Sequence, residues 1–324
     1  MSERVIVAGV DGGASSTTCV IADETGRVLG VGRGGPIDHL YLPAGRKRTR
    51  EAVGEAYVSA ARKDRPRRAL RAVVAGLTGL EPGSAESRSA VRILKGVTRA
   101  DVVHATWDAE IAFFGASAGG PGVMVIAGTG SVALGRNAAG QTARAGGYGY
   151  LIDDAGGGVS IGRAALRAAL RSGEGWGPKT VLADVFRAQL GGWPEIRRRV
   201  YGEGRGRALL ASLVPAVEEA ARDGDTVART ILADAGRSLA DLASGVATRL
   251  GMQDETFDLF LVGGVFLIGT PVIGPLRSGL RSQAVHARIR RPRFPPALGA
   301  VLMALEAAGV RPTPSTLRRL GRTL

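Results

Sequence analysis

The amino-acid sequence predicts an α/β fold made of two related domains, on three observations. The 324 residues exceed the usual size of one compact domain. Short β-branched runs alternate with segments of helical periodicity along the chain. A unit of strand, glycine turn, strand and strand opens the chain and recurs about 115 residues later, which indicates an internal duplication. We therefore predict two domains of similar design, joined without a low-complexity linker.

The first of these units begins the N-terminal domain. Residues 4–10, 17–22 and 28–32 are predicted strands of an antiparallel meander, with a glycine turn at 11–14. The elements that follow are helix 46–61, strand 70–77, helix 84–95, strand 102–105 and helix 108–116. We assign residues 1–118 to this smaller domain and expect the C-terminal helix of residues 297–324 to pack back on it.

The glycine–proline segment 119–122 is the predicted boundary, and residues 119–296 form the larger C-terminal domain. Its first elements repeat the opening unit, with strands 123–127, 131–135 and 141–146 and a glycine turn at 128–130. The later elements of this domain are helices 159–171, 180–189, 208–222 and 225–250, strand 257–262, helix 271–281 and strand 285–289, and helix 297–308 follows outside it. We expect the basic tail after Pro312 to be mobile.

The net charge of +14 comes from 43 basic and 29 acidic residues, and it raises the question of a nucleic-acid or anionic-membrane partner. Nearly all of the positive charge is arginine, and the basic clusters are scattered: 46–50, 62–71, 197–199, 288–293 and 318–322. This pattern favours a solvated surface. We therefore expect no nucleic-acid partner, although the charge would favour encounter with an anionic small molecule.

Cys19 is the only cysteine, so neither a disulfide nor a cysteine-based zinc or iron–sulfur site can form within one chain. The three histidines are far apart and show no metal-binding spacing. Arg4 leads directly into an apolar strand, and no apolar run approaches ~18 residues. We therefore expect no signal peptide, no membrane segment and a cytoplasmic protein.

The turn after the first strand has the composition of a phosphate-binding loop. In DGGASST (residues 11–17), glycines allow backbone N–H groups to turn toward an anion, and the hydroxyls add donors. Asp11 would repel a bare phosphate, but it can hold Mg²⁺ directly or through water. An ordinary hairpin turn explains this segment alone equally well.

Two later glycine turns have similar features. GTGS (128–131) follows the first strand of the second unit, and two such turns facing each other would clamp the phosphates of a nucleotide from both sides. Gly263 and Gly264 follow a predicted strand, where backbone without a Cβ could approach an adenine or ribose. A helix starting there would direct its N-terminal dipole toward phosphates. For each turn taken alone, a tight turn remains the alternative.

Two acidic features are candidates for catalysis and substrate binding. Asp108 opens a predicted helix, where it acts as an N-cap, as a general base that takes a proton from a substrate hydroxyl, or as both. Asp153 and Asp154 lie in a glycine-rich loop with aromatic residues (146–158), and this composition suits recognition of a metal or a polyhydroxyl compound. The alternative for this loop is a solvated turn.

These motifs occur together in one known family. The sequence resembles the BadF/BadG/BcrA/BcrD-type ATPase family, and within it the N-acetylglucosamine kinases and the archaeal broad-specificity ATP-dependent hexokinases. The matching segments follow the family order over essentially the whole chain: VDGGASSTT (10–18), GPIDHL (35–40), TWDAEIAFFGA (106–116), PGVMVIAGTGSVALG (121–135), GGYGYLIDDAGGGVSIGRAAL (146–166), EEAARDGDTVA (218–228), LVGGVF (261–266) and PALGAVLMA (296–304).

The resemblance implies an α/β fold of duplicated actin-like ATPase (ribonuclease H-like) domains around a central nucleotide cleft. It implies a sugar kinase that uses ATP and Mg²⁺. Such an enzyme transfers the γ-phosphoryl group to a hydroxyl, on C6, of a hexose or amino-hexose such as glucose, glucosamine or N-acetylglucosamine. A homodimer is also implied.

The resemblance also assigns roles to residues. Asp108 matches the catalytic base and Asp11 the metal ligand. The positions that match nucleotide-binding residues are Gly12, Gly13, Ser15, Thr17, Gly128, Thr129, Gly130, Gly263 and Gly264. The positions that match sugar-contacting residues are Asp38, Thr78, Thr129, Gly147 and Asp154. Asp38 stands where the kinases carry asparagine, and Ala155 and Gly157 replace an acid and a hydroxyl. We therefore expect an altered sugar pocket, which accepts glucose or glucosamine at least as well as N-acetylglucosamine.

Two other functions remain open at this point. An ATPase of the BadF/BcrA activator type would act without a sugar, but such proteins hold an iron–sulfur cluster with several cysteines, and Cys19 cannot supply that set. A non-catalytic regulator that senses ATP or sugar is the other alternative. Relatives of that kind carry a helix-turn-helix before the fold, whereas the predicted fold here starts at residue 4.

Overall fold

The computed structural model describes residues 4–62, 69–81, 83–202, 206–283 and 285–322. Most of the predicted basic cluster 62–71 lies outside these ranges. The chain divides into unit 1, formed by Met1–Gly120 and Arg291–Leu324, and unit 2, formed by Pro121–Arg290. The sequence prediction places the corresponding boundaries at 118/119 and 296/297.

Each unit contains a five-stranded sheet within its described residues. The strands of unit 1 are β1 (Ile6–Gly12), β2 (Thr17–Asp23), β3 (Val28–Gly34), β4 (Ala72–Leu77) and β5 (Val102–Trp107), in the order β3-β2-β1-β4-β5. Those of unit 2 are β6 (Gly122–Ala127), β7 (Ser131–Arg136), β8 (Thr142–Gly146), β9 (Phe257–Val262) and β10 (Ala287–Arg290), in the order β8-β7-β6-β9-β10. The two orders are the same, so the predicted duplication is confirmed.

The strand directions agree as well. β1 and β6 each form an antiparallel meander with the two strands that follow them, and each pairs on its other side with a parallel strand. Antiparallel neighbours need only a short turn, whereas parallel neighbours need a crossover through a helix. The loops after β1 and after β6 are therefore tight turns at equivalent positions.

The helices connect and cover these strands. They are α1 (Gly45–Ala61), α2 (Ala85–Thr98) and α3 (Asp108–Ser117) in unit 1; α4 (Gly158–Gly173), α5 (Leu182–Leu190), α6 (Trp193–Tyr201), α7 (Gly206–Ala211), α8 (Val214–Arg222), α9 (Thr226–Arg249) and α10 (Thr270–Ser282) in unit 2; and α11 (Pro296–Ala307) and α12 (Pro314–Leu320) in unit 1. Within the described ranges, no helix is both long and apolar enough to cross a bilayer.

The sheet of unit 1 is buried on both faces. One core joins its strands to α1 and α2, and a second joins them to α11 and α12. Glycines allow α1 to approach β3 closely, because a Cβ at Gly30, Gly32 or Gly34 would overlap a carbonyl oxygen of the helix. A three-layer arrangement of this kind agrees with the predicted α/β class.

Three local predictions are wrong. The predicted helix 208–222 is two helices, α7 and α8, because Pro215 lies in the first turn of α8, where its missing N–H costs nothing. The tail after Pro312, predicted to be mobile, forms α12 within its described residues 313–322, and Leu320 is fully buried in unit 1. The helix predicted directly after Gly263 is a short 3₁₀ turn, Gly264–Ile268, and α10 follows it.

Candidate functional site

Loop 1 (residues 13–16) connects β1 to β2. The N–H of Gly13 donates to the carbonyl of Ser16 at 3.0 Å, which closes the turn. Among the described residues, no acceptor is found for the backbone N–H groups of Ala14, Ser15 and Ser16, and all three residues are exposed. Successive free N–H groups in a turn form a site that attracts an anion.

The structure separates the predicted phosphate contacts of loop 1 into two pairs. Gly13 and Ser15 lie in the accessible turn. Gly12 is buried, and a Cβ there would lie 2.7 Å from Cδ2 of Leu77. Thr17 is fully buried, and its hydroxyl donates to the carbonyl of Gly35 at 2.9 Å. Thr17 therefore connects β2 to the end of β3, and its proton is not available to a phosphate.

Two carboxylates lie beside loop 1. Asp11 is the second-last residue of β1, and Asp108 is the first residue of α3; both are half-buried. Burial and the nearby negative charge of Asp108 raise the pKa of Asp11 to about 6. Topology explains this proximity, since β1, β4 and β5 are parallel neighbours and their carboxyl ends meet at one edge of the sheet.

The interpretation of Asp108 as an N-cap is wrong. Trp107 occupies the N-cap position of α3, and its side chain makes no capping hydrogen bond to the helix. The carboxylate of Asp108 accepts no hydrogen bond from any described residue, whereas Glu110, two positions further on the same helix turn, accepts one from Thr106. An acidic side chain without a structural partner, held at a helix N-terminus, is suited to act on a ligand.

The residues present fit a magnesium ion that arrives with a nucleotide. Oxygen ligands are those that Mg²⁺ prefers, and it is commonly held by one or two carboxylates together with substrate phosphates and water. Asp11 and Asp108 form such a pair of carboxylates. Their negative charges repel each other, and a bound cation would offset that repulsion. Among the described residues, no group of three or more His, Cys, Asp or Glu side chains forms a self-sufficient metal site.

Loop 2 (residues 128–130) connects β6 to β7. The N–H of Gly128 donates to the carbonyl of Gly130 at 3.0 Å, and within the described ranges the N–H groups of Thr129 and Gly130 have no acceptor. The carbonyls of Gly128 and Thr129 instead accept hydrogen bonds at 2.8 and 3.0 Å from Gly158 and Val159, the first two residues of α4. Hydrogen bonds from the start of α4 therefore hold the carbonyls of loop 2, and the N–H groups of Thr129 and Gly130 stay available for a ligand, as do those of loop 1.

Asp154, a predicted sugar contact, is packed against loop 2. Its residue exposure is 5% and its backbone φ is +60°. Its Oδ1 accepts from the N–H of Ser131 at 3.3 Å, and a Cβ at Gly130 would lie 2.7 Å from its Cγ. The hydroxyl of Ser131 donates to the carbonyl of Ala155 at 2.7 Å. The alternative of a solvated loop is therefore wrong at Asp154.

The remaining predicted residues of unit 2 differ in accessibility. Gly263 has a φ of +114°, and a Cβ there would overlap the carbonyl of Ala127, the residue before loop 2. Gly264 is exposed and faces open space, so its backbone is accessible to a ligand. Gly147 also has a positive φ, and its carbonyl accepts from Nη2 of Arg144 at 2.7 Å.

Asp38 and Thr78 belong to two segments that touch each other. The N–H of Thr78 donates to the carbonyl of Gly12 at 2.9 Å, and the next residue, Gly79, packs on the ring of His39. Oδ1 of Asp38 accepts from the N–H of His39 at 2.8 Å, and Oδ2 pairs with Nη1 of Arg48 at 3.1 Å.

The sequence analysis missed His39 and Arg48. Arg48 compensates the charge that Asp38 brings in place of an uncharged amide. The replacement of asparagine by an acid was a usable signal for a basic partner. The separation of ten positions and the basic character of the whole 46–50 segment gave no way to select Arg48 as that partner.

The duplicated sheets, with a glycine loop after β1 and after β6, define an actin-like ATPase fold of two related domains. The model of the BadF/BadG/BcrA/BcrD ATPase family matches residues 8–304. The chain therefore belongs to this family, and ATP is the nucleotide that the family implies.

Several proteins that the chain resembles are named as sugar kinases. The chain is 30% identical over 199 residues to the N-acetylmuramic acid/N-acetylglucosamine kinase of Clostridium acetobutylicum. The matched region is 61% of this chain and 65% of that protein, so it spans slightly less than two thirds of that protein's length. It is 29% identical over 322 residues to the N-acetyl-D-glucosamine kinase of Dictyostelium discoideum, with 95% and 99% coverage. A proposed N-acetylglucosamine kinase from Chromobacterium violaceum has a solved structure with a TM-score of 0.69 and 25% identity, covering 93% and 99% of the two chains.

Proposed function

We propose that this protein is an ATP-dependent sugar kinase, which transfers the γ-phosphoryl group of ATP to the C6 hydroxyl of a hexose or amino-hexose. The observation that carries the proposal is the pair of carboxylates, Asp11 and Asp108, beside the free N–H groups of loop 1. Phosphoryl transfer requires positioned phosphates, a cation and a proton acceptor. This one edge of the unit 1 sheet offers groups for all three.

Backbone N–H groups are the proposed phosphate ligands. In loop 1 these are the N–H groups of residues 14–16, with the Ser15 hydroxyl as an additional donor, and in loop 2 those of Thr129 and Gly130. Such groups stabilise negative charge without needing to reorganise, because the turn already fixes their direction. Gly264 is the proposed point of backbone contact with the nucleoside.

Asp11 is the proposed magnesium ligand and Asp108 the proposed general base. Asp11 would hold the magnesium that arrives with ATP, and the ion would supply positive charge to offset that of the phosphates. Asp108 accepts the proton of the sugar hydroxyl while the oxygen of that hydroxyl forms a bond to the γ-phosphorus. The bond from the γ-phosphorus to the β–γ bridging oxygen breaks at the same time. ADP and the sugar phosphate are the products. A base in this role contributes about 10²–10⁴-fold to the rate.

The sugar class is proposed from relatives and from Asp38. The similar proteins are named for N-acetylglucosamine and N-acetylmuramic acid. A carboxylate at position 38 only accepts hydrogen bonds, so it suits sugar hydroxyls. Arg48 already offsets its charge, which removes most of the advantage that the ammonium group of glucosamine would have had. We therefore propose glucose as a substrate at least as good as N-acetylglucosamine.

A coupled ADP-release assay tests the proposal. The panel is glucose, glucosamine, N-acetylglucosamine, N-acetylmuramic acid and no sugar, each with Mg·ATP. The expected result is ADP release that depends on one of the sugars. Equal ADP release with and without every sugar would favour the activator-type ATPase instead, and binding of AMPPNP without any turnover would favour the regulator. In the same assay, Asp38→Asn should shift the ratio of kcat/KM for glucose to that for N-acetylglucosamine.

The proposal extends to assembly and location. The family resemblance supports a homodimer in the cytoplasm with a small-molecule sugar as its partner. Light scattering on the purified protein measures the oligomeric state directly. Titration with duplex DNA at rising salt concentration tests the expectation that the charge of +14 serves no nucleic-acid partner.

A further inference from the structure

We infer that Asp154 positions loop 2 and thereby sets the affinity for the nucleotide, instead of contacting the sugar. The inference rests on the proposed function, because it assigns a role within the proposed nucleotide site. It differs from the role that family resemblance gives to this position. The contacts of Asp154 with loop 2 are the reason for the difference.

The burial of Asp154 leaves little surface for a substrate. Only 5% of the residue is exposed, whereas its neighbour Asp153 is half-exposed. The backbone φ of +60° places Asp154 in the left-handed region, which is uncommon for a residue other than glycine. Such a conformation persists where the surrounding structure specifies it. The surroundings that specify it here are loop 2 and the start of α4.

Every residue of the segment 128–131 is held by the segment 154–159. Gly128 and Thr129 accept hydrogen bonds from Gly158 and Val159. Gly130 lies against the carboxylate of Asp154, and all the closest neighbours of a Cβ placed there are atoms of that carboxylate group. Ser131 donates its N–H to Asp154 and its hydroxyl to Ala155. Asp154 supplies two of these five attachments.

The same contacts leave the proposed phosphate ligands free. Asp154 accepts from the N–H of Ser131 and not from those of Thr129 and Gly130, which find no acceptor among the described residues. Its own carbonyl accepts from Gly157 at 3.0 Å, which closes the turn into α4. Loss of the side chain would therefore loosen the loop without removing any ligand of the phosphate. A looser loop binds more weakly because ordering it on binding costs conformational entropy.

Two substitutions and a matched control separate the two roles. Asp154→Asn keeps an acceptor for Ser131, tolerates a positive φ and loses the charge. Asp154→Gly keeps the backbone conformation at little cost and loses the acceptor. Asp153→Asn removes an equal charge from the preceding position, where the carboxylate accepts one hydrogen bond among the described residues, from the N–H of Ala155 at 3.3 Å. Thermal unfolding confirms that each variant is folded.

The primary measurement is calorimetric binding of Mg·AMPPNP without sugar. Asp154→Gly should weaken binding about tenfold, as expected for one lost hydrogen bond and a loosened loop. Asp154→Asn should stay within about threefold, and Asp153→Asn within about twofold, of wild type. The sugar KM at saturating ATP should stay within about twofold in all three. If Asp154→Gly does not fold, Asp154→Ser, whose side chain is too short to reach Ser131, takes its place with the same expectation.

The contrary outcomes are distinct. Unchanged AMPPNP affinity in Asp154→Gly together with a raised sugar KM would overturn the positioning role and restore the sugar contact. A wild type that binds no AMPPNP would overturn the proposed function itself. A second test needs no ligand: the loss of stability from Gly130→Ala should be smaller in an Asp154→Gly background, because the added methyl group then has room. Equal losses in both backgrounds would contradict the interlock between these two residues.

Discussion

Loop 1 joins β1 to β2 and loop 2 joins β6 to β7, the equivalent strands of the two sheets. Both turns close with a hydrogen bond from their first glycine, and both leave successive N–H groups without an acceptor among the described residues. They differ in their acidic neighbours. Asp11 and Asp108 lie beside loop 1 and repel each other, whereas Asp154 accepts a hydrogen bond from the segment it supports in unit 2.

The difference shows that duplication of a fold preserves backbone geometry more strictly than side-chain function. The free N–H groups follow from the tight turn between two antiparallel strands, which both units retain. The carboxylates are additions to that turn. Those of unit 1 are available to a metal and a proton, and that of unit 2 is used for structure. We therefore expect unit 1 to be sensitive to changes of charge and unit 2 to changes of shape.

The largest effect is expected at Asp108. Asp108→Asn keeps the size of the side chain and removes the proton acceptor, so kcat should fall by about 10²–10⁴-fold with little change in the Kd for AMPPNP. Steady-state kinetics and calorimetry on the same preparation measure the two quantities. Turnover close to wild type would show that Asp108 is not the base, and it would remove the distinction between the two units.

The next effect compares one glycine from each loop. A Cβ at Gly130 would lie 2.7 Å from Cγ of Asp154, whereas a Cβ at Gly13 would lie 3.5 Å from the Ser16 carbonyl, an ordinary contact. Gly130→Ala should therefore lower the free energy of unfolding by about 1–3 kcal/mol, and Gly13→Ala by less than about 0.5 kcal/mol. Urea unfolding measures both. Equal losses would mean that loop 2 is no more tightly packed than loop 1.

A smaller effect is expected from the charge of Asp11. Its folded-state pKa, about 6, lies above the unfolded value, so its contribution to stability is fully present below about pH 4 and is lost as the pH rises through 6. Asp11→Asn removes the carboxylate that becomes destabilising. At pH 7.5 without divalent ions, the variant should exceed wild type in stability by on the order of 2 kcal/mol, and the advantage should vanish near pH 4.

Thermal unfolding of both proteins from pH 4 to 8 in EDTA tests this expectation. The control is Asp108→Asn, which removes the second cause of the raised pKa and should give a smaller stabilisation in the same direction. A wild type and an Asp11→Asn variant with parallel pH profiles would show that Asp11 titrates normally. In that case Asp11 and Asp108 would not repel each other measurably, and the contrast between them and the hydrogen-bonded Asp154 of unit 2 would be lost.

The smallest effects concern the hydroxyls beside the two loops. Thr17→Val removes the bond to the Gly35 carbonyl, and Ser131→Ala removes the bond to the Ala155 carbonyl. Each loss leaves one carbonyl without that donor and should cost about 1 kcal/mol of stability. Calorimetry with AMPPNP separates them: affinity should fall in Ser131→Ala and stay unchanged in Thr17→Val, because only Ser131 belongs to the segment braced by Asp154. A lower affinity of Thr17→Val for AMPPNP would instead support Thr17 as a phosphate ligand.

Much of the fold could be predicted from local patterns. The ten strands of the described residues and most of the helices follow from hydrophobic periodicity and glycine turns, and the recurrence of one unit predicted the duplication. Two errors also had local causes. Pro215 is a helix-start signal that the periodicity of residues 208–222 concealed. The Thr313 cap and Pro314 at the first turn of α12 were overlooked beside the basic residues of the tail.

The candidate site was predictable only in part. Glycines at loop positions and an aspartate at the end of β1 are visible in the sequence, because torsion-angle preferences and strand ends are properties of a few neighbouring residues. The parallel order of β1, β4 and β5 could then bring Asp11 and Asp108 to one edge. The sequence could not show that Trp107, and not Asp108, is the N-cap, since a helix boundary shifts by one residue without any change of pattern.

The sequence by itself determined the duplicated α/β design, the position of both glycine loops and the acidic residues beside them. The tertiary structure alone decided what those acids and hydroxyls contact. Ser131 meets Asp154 across 23 positions of sequence, Thr17 meets Gly35 across 18, and Asp38 meets Arg48 across ten. Each pairing depends on how separate elements pack, because burial selects one partner among many of the same chemical type, and no local pattern records that choice.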